Sequence, residues 1–275
     1  MIANLSLQEE EFKQFEELGY AGPFKLFEPQ EVESVTRELS KEKARLFLPN
    51  RLLSRIPVLK NNFKIARWGK AKWHKGTHVL SPKIYEISRR PEVLDRLSSI
   101  MGGDIILWGS LMLNIKTSDN PTWHIDAECR YWDLFEGVSV WIALSNVDQS
   151  NCMRVITRTH NFSEIPRGIK TDKEVLEAAQ KINPQCEYVT VDTKPGEFFI
   201  FARRLWHTGK KSEKVRNCLL LQYSRPNTLV RIPTNFSDPI IWDSRPVPCL
   251  VVKGKAPNYS RQDTDDRKVI LKPPV

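Results

Sequence analysis

The chain has 275 residues, 40% hydrophobic and 27% charged, with a formal net charge of +9, a balance that excludes whole-chain disorder and allows one large domain with decorated ends. No apolar run approaches the roughly 18 residues of a spanning helix, and the N-terminus turns acidic at Glu9-Glu10 instead of reading basic then apolar. The expectation is a cytoplasmic protein without a membrane segment, whose positive charge favours acidic partners.

The first predicted element is a helix over 5–18. Ser6-x-x-Glu9 has the form of a capping box, Phe12, Phe15 and Leu18 recur at helical spacing, and Gly19 stops the segment. A second helix is expected from Glu28-Pro29 to about Lys43. Residues 50–80 read as an irregular, very basic stretch. Helical periodicity returns over 82–101 (Ile84, Ile87, Val93, Leu94, Leu97, Ile100) and ends at Gly102-Gly103. From 104 the pattern changes to short runs rich in β-branched and aromatic residues. Strands are expected near 105–116, 122–127, 137–145, 152–157, 187–192, 197–202 and 216–224, with a helix inserted over 171–181. Closely spaced short strands favour a sandwich or barrel over alternating βαβ units. The Pro-rich end, 226–275, reads as an arm that wraps the body. The whole is expected to be one domain, with a helical and basic part over 1–103, a β core over 104–225 and that arm.

The five cysteines (Cys129, Cys152, Cys186, Cys218, Cys249) form no C-x-x-C pair, so they read as reduced core thiols and not as a zinc or redox motif. The histidines carry more. In Thr122-Trp123-His124-Ile125-Asp126, a strand would turn His124 and Asp126 to one face, since side chains repeat every two residues. An imidazole and a carboxylate so placed can hold neighbouring sites of a metal, and one more histidine completes a facial triad suited to Fe(II). The alternative is a hydrogen-bonded His–Asp pair at a strand end. His207, in Arg204-Leu205-Trp206-His207, supplies the further ligand, and Arg216 follows on the next expected strand. A guanidinium there could grip the distal carboxylate of 2-oxoglutarate, whose keto-acid end would fill two open metal positions and leave the third to dioxygen.

With those residues in order, the chain resembles the phytanoyl-CoA dioxygenase-like family of Fe(II)/2-oxoglutarate oxygenases. The W-H-x-D segment is Trp123 to Asp126, and the later R-L-W-H segment is Arg204 to His207. Asn151 to His160 echoes the family's N-G-x-L-x-x-x-P-G-S-H run. The resemblance implies a double-stranded β-helix (jelly-roll) core with flanking N-terminal helices. It implies His124, Asp126 and His207 as iron ligands and Arg216 as the 2-oxoglutarate anchor. It also assigns Asn114 and Trp141 to the co-substrate pocket. The family's serine two residues past the distal histidine is Gly209 here, and Thr208 is expected to take its role. Related halogenases lack the carboxylate, so Asp126 favours hydroxylation, desaturation or cyclisation over chlorination.

Glu128 and Arg130 continue the alternation of His124 and Asp126 and could contact substrate or pair with each other at the cavity rim, and Arg204 is a further candidate substrate contact. The basic stretch Lys60–Lys75, with Lys64 and Arg67 among Phe63, Trp68 and Trp73, could grip phosphates and stack bases. No nucleic-acid motif accompanies it, and two readings stand ahead of that one: a solvated basic face with packed aromatics, and part of a substrate mouth for an anionic or carrier-linked small molecule. His74 and His78 lack the H-E-x-x-H pattern, and His160 reads as a structural hydrogen-bonding group. The rival functions are a jelly-roll binding or regulatory protein without turnover, and an oxygenase directed at nucleic acid.

Overall fold

In the computed structural model, residues 5–53, 55–57, 73–74, 76–115, 122–126, 137–164, 166, 168–169, 171–210, 214–228, 240–241, 247–256, 268–270 and 273 are described. The helices are α1 (Glu9–Leu18), α2 (Pro29–Leu53), α3 (Pro82–Ser88), α4 (Pro91–Met101) and α5 (Asp172–Ile182). The strands run β1 (Tyr20–Lys25), β2 (Trp73–His74), β3 (Ile105–Ile115), β4 (Gly137–Ser145), β5 (Met153–Ile156) and β6 (Tyr188–Val191). They continue with β7 (Glu197–Ala202), β8 (Trp206–Gly209), β9 (Arg216–Ser224), β10 (Ile240–Ile241), β11 (Val247–Lys253) and β12 (Lys268–Ile270).

A seven-stranded sheet has the order β1-β7-β4-β9-β3-β11-β12, and a smaller one the order β6-β5-β8. Strict alternation assigns each face of the large sheet. Val138, Val140, Ile142 and Leu144 of β4, with Phe198 and Ile200 of β7 and Leu219 and Leu221 of β9, pack under the N-terminal helices. Trp141 and Ala143, Phe199 and Phe201, and Cys218 and Leu220 turn the other way and meet Met153, Val155 and Val191 of the small sheet. That second layer is the jelly-roll interior. The outer face of the small sheet is closed by α5, whose Val175 and Ala179 pack with Ile156 and Trp206. No helix among the described residues is long and apolar enough to cross a membrane.

Several boundaries differ from the sequence reading, each for a local reason. Helix α1 begins at Glu9, because Gln8 and Glu11 form the capping box in place of Ser6 and Glu9. Helix α2 continues to Leu53, with Pro49 inside it. The periodic stretch 82–101 is two helices: Arg90 is extended (φ −60°, ψ 136°), the conformation that a following proline favours. Strand β1 escaped notice because Gly22 and Pro23 interrupt it, and its register against β7 shifts between Ala21 and Phe24. Strand β8 was hidden in the R-L-W-H segment. Of the C-terminal arm, β11 joins the large sheet beside β3, and β12 pairs with it in parallel. The four described cysteines are free and buried, and Cys129 lies outside the described residues.

Candidate metal centre

The centre is assembled from two parts of the chain that are distant in sequence. His207 lies on β8, where it pairs with Val155 of β5 and so faces the interior, while Trp206 and Ile156 face α5. On the free side of β8, His124 and His207 exchange both backbone hydrogen bonds at 3.0 Å, and the Asp126 amide donates to the Arg203 carbonyl at 2.8 Å. Segment 122–126 therefore extends the small sheet by one short edge. Trp123 turns into the α5 side, and His124 and Asp126 turn inward, as the alternation requires.

The result is one His–Asp–His group whose ligand atoms all lie within 4.8 Å of one another. The two imidazole rings are 4.3 Å apart, centroid to centroid, and Asp126 Oδ1 is 3.5 Å from His207 Nε2. Each Nδ1 faces a backbone carbonyl, Thr122 O at 2.7 Å for His124 and Leu205 O at 2.8 Å for His207. A carbonyl only accepts, so Nδ1 carries a proton in each ring, and the neutral tautomer with that proton presents its lone pair at Nε2. Ser139 Oγ donates to Asp126 Oδ2 at 2.6 Å, which leaves Oδ1 for a ligand.

The electrostatics keep His124 and Asp126 in ligating form. His124 is an exposed residue, yet desolvation by the protein packed around its ring and the adjacent His207 push its pKa down to about 4, so it is neutral near pH 7. Burial alone would raise the Asp126 carboxyl. The neighbouring imidazoles and the Ser139 hydroxyl outweigh burial and hold it well below the usual carboxylate range. Two imidazole nitrogens and one carboxylate on one face suit a ferrous ion with open positions.

Arg216 opens β9 and is 2% exposed. Its Nε and Nη1 have no hydrogen-bond partner, and it lies on the inner face with Cys218 and Leu220. Burying a guanidinium in this state is unfavourable unless an anion completes it. The guanidinium carries donors on both of its edges, so a carboxylate that reaches either edge can be bound, and the residues present suit both iron and the distal end of 2-oxoglutarate. Trp141 shares this face, and its side chain and Arg216 both reach the Cys218 thiol.

The other expected residues fare differently. Asn114 shares the parity of Met112, which faces the helices, and its amide donates to Asn217 Oδ1 at 2.7 Å; it does not face the Arg216 side. Thr208 pairs with Arg154 and faces outward with Trp206, so strand alternation puts Gly209 and not Thr208 on the inner face. Arg204 donates to the Phe162 carbonyl on the α5 side. His160 meets the Glu16 carbonyl at 3.2 Å, and His78 is buried against Ser110. Glu128, Arg130, Lys64 and Arg67 lie outside the described residues. Two supporting residues went unread in the sequence: Ser139, signalled only as a polar position inside an apolar strand, and Arg203, whose guanidinium also reaches the Asp126 carbonyl at 3.4 Å.

Residues 15–218 match the phytanoyl-CoA dioxygenase (PhyH) family. The chain belongs to that family. As a PhyH member it is a 2-oxoglutarate-dependent non-haem iron oxygenase, and the family works with Fe(II), 2-oxoglutarate and dioxygen. No curated protein matches by sequence. Solved structures share its fold. CytC3 with Fe(II) and alpha-ketoglutarate is 19% identical, with a TM-score of 0.62 over 98% of this chain and 100% of that one. EctD from S. alaskensis, with 2-oxoglutarate and 5-hydroxyectoine, is 15% identical, with a TM-score of 0.62 over 98% and 91%. The non-heme alpha ketoglutarate dependent carbocyclase SnoK from nogalamycin biosynthesis is 17% identical, with a TM-score of 0.51 over 82% and 87%.

Proposed function

We propose that the chain is a single oxygenase domain that hydroxylates, desaturates or cyclises at a C–H bond of a small metabolite in the cytoplasm. In this reading His124, Asp126 and His207 ligate Fe(II), and Arg216 holds the distal carboxylate of 2-oxoglutarate. The observation that carries it is the convergence of three candidate ligand atoms within 4.8 Å, on the same interior as a buried guanidinium with two unpartnered nitrogens.

Iron with 2-oxoglutarate and dioxygen supplies the oxidising power for C–H cleavage. The chain supplies placement. Thr122 and Leu205 carbonyls fix the histidine tautomers, Ser139 fixes the carboxylate rotamer, and Arg216 fixes the far end of the co-substrate. Trp141, Phe199 and Phe201 give the interior an apolar lining that excludes water. Asp126 occupies the position that a halide would need, which favours oxygenation over chlorination. The net charge of +9 and the basic stretch 60–75 support an anionic or carrier-linked substrate over a nucleic acid, for which no motif is present.

The test is succinate release by the full chain supplied with Fe(II), 2-oxoglutarate and air. Wild type should release succinate, and Asp126→Ala should lose that release. Silence from wild type would favour the inactive jelly-roll reading, and full activity in Asp126→Ala would remove Asp126 from the metal site.

A further inference from the structure

The inner face of β9 carries polar groups that the metal and 2-oxoglutarate do not use. Gln222 is 1% exposed, and neither its Oε1 nor its Nε2 has a hydrogen-bond partner. Two residues on, Ser224 is fully buried with an unpartnered hydroxyl. Native proteins rarely bury an amide with both ends unmade, and where they do, a ligand or ordered water completes it.

The surroundings are built around this amide. On one side β9 pairs Gln222 with Ser139 of β4, the serine that holds Asp126, so the amide stands one strand from the anchor of the carboxylate ligand. On the other side lies Gly109 of β3, at an irregularity in the register. A Cβ there would come within 2.6 Å of Gln222 Oε1, so glycine is what leaves room for the amide. Ser224 pairs with Gly137, where a Cβ would run into the Arg203 side chain. The neighbouring cation is already engaged, because the Arg203 guanidinium lies 4.5 Å from the centroid of the Trp108 ring. Arg216 is six residues earlier on the same face, about 20 Å of strand away. The polar groups of β9 thus fall into two sets, and the set beside Ser139 is free of the co-substrate's distal anchor.

We propose that Gln222, with Ser224 beside it, binds a carboxamide or lactam-type group of the substrate and so selects which C–H bond is brought to the metal. The inference rests on the oxygenase reading and names its substrate class. An N–H and a C=O side by side satisfy Gln222 at both ends, with Oε1 accepting and Nε2 donating. A carboxylate would satisfy Nε2 but set its second oxygen against Oε1. A tertiary amide would leave Oε1 without a donor.

The test is ligand-observed saturation-transfer NMR on the full chain without metal, with hexanamide, N,N-dimethylhexanamide and hexanoate as matched probes. Wild type should bind hexanamide preferentially, and Gln222→Leu should bind it roughly tenfold more weakly, a loss of the size of one to two hydrogen bonds. Equal signals from the three probes, or an unchanged hexanamide signal in Gln222→Leu, would overturn the proposal. The melting temperature of Gln222→Leu guards against misfolding. It should equal or exceed that of wild type, because an unpaired buried amide has been removed. A fall would assign Gln222 to a structural water network and overturn the ligand role. Succinate release by wild type is read in parallel. Release without a preference for hexanamide sinks the amide site alone, whereas amide binding without release sinks the oxygenase reading and leaves the amide site as a binding site.

Discussion

Asp126 depends on a neighbour that no motif contains. Its Oδ2 accepts from Ser139 at 2.6 Å, and that bond turns Oδ1 toward the two imidazoles. Without the hydroxyl the buried carboxylate keeps its charge but loses its preferred rotamer, and the second oxygen is left without a donor. Groups that orient a metal ligand in this way typically contribute 10–100-fold to affinity. Ser139→Ala should therefore weaken Fe(II) binding by about that factor in an anaerobic titration, while circular dichroism shows an intact fold. An unchanged affinity would mean that the backbone alone holds Asp126 in place. Ser139→Thr keeps the hydroxyl and should recover most of the loss.

At the scale of the element, the outer helix α5 has an unexpected hold on the metal site. Asp172, its first residue, accepts from Trp123 Nε1 at 3.1 Å, from Arg154 Nη1 at 2.6 Å and from Tyr188 Oη at 3.2 Å. Trp123 precedes His124, so this one carboxylate ties the ligand-bearing edge to β5, β6 and α5. Asp172→Ala should cost about 1 kcal/mol of stability, discounted for its partial exposure, as measured by urea unfolding. It should also weaken metal binding, although Asp172 touches no ligand atom. A stability loss with metal affinity intact would show that the bridge between His124 and His207 suffices by itself. The sequence showed the pieces of this arrangement unequally. Helix α5 was legible because Thr171 and Glu174 form a capping box ahead of an amphipathic run, and strands β3, β4, β7 and β9 because long apolar alternation is a strong signal. Strand β8 was not, since four residues carry too little pattern, and without β8 the outward direction of Thr208 could not be foreseen. The direction of Asn114 follows the same rule: its parity along β3 is a property of the sheet's two faces, which a single strand does not declare. His124, Asp126 and His207 were legible because metal chemistry restricts residue type and spacing together, whereas Ser139, Arg203 and Gln222 matter only through cross-strand neighbours.

For the whole molecule, the proposed ligands come from β8 and from an edge segment joined to it, among the described residues, by one bridge at His124. A bound divalent ion would crosslink these two stretches and screen the buried carboxylate, and 2-oxoglutarate would neutralise Arg216 inside the same interior. Anything that binds the folded state alone stabilises it by mass action, by about 2.7 kcal/mol at a hundred times the dissociation constant. For a chain of this size that corresponds to several degrees in melting temperature. Anaerobic melting curves should accordingly rise when Fe(II) is added, rise again with 2-oxoglutarate, and return to the starting value with a chelator. The two increments have different owners. Asp126→Ala should remove the iron increment and the 2-oxoglutarate increment with it, because the keto acid chelates through the metal. Arg216→Ala should retain the first and lose most of the second, since the distal carboxylate would then face an interior without its cation. If 2-oxoglutarate stabilises Arg216→Ala as much as wild type, the co-substrate is anchored elsewhere, and the two unpartnered nitrogens of Arg216 need another anion.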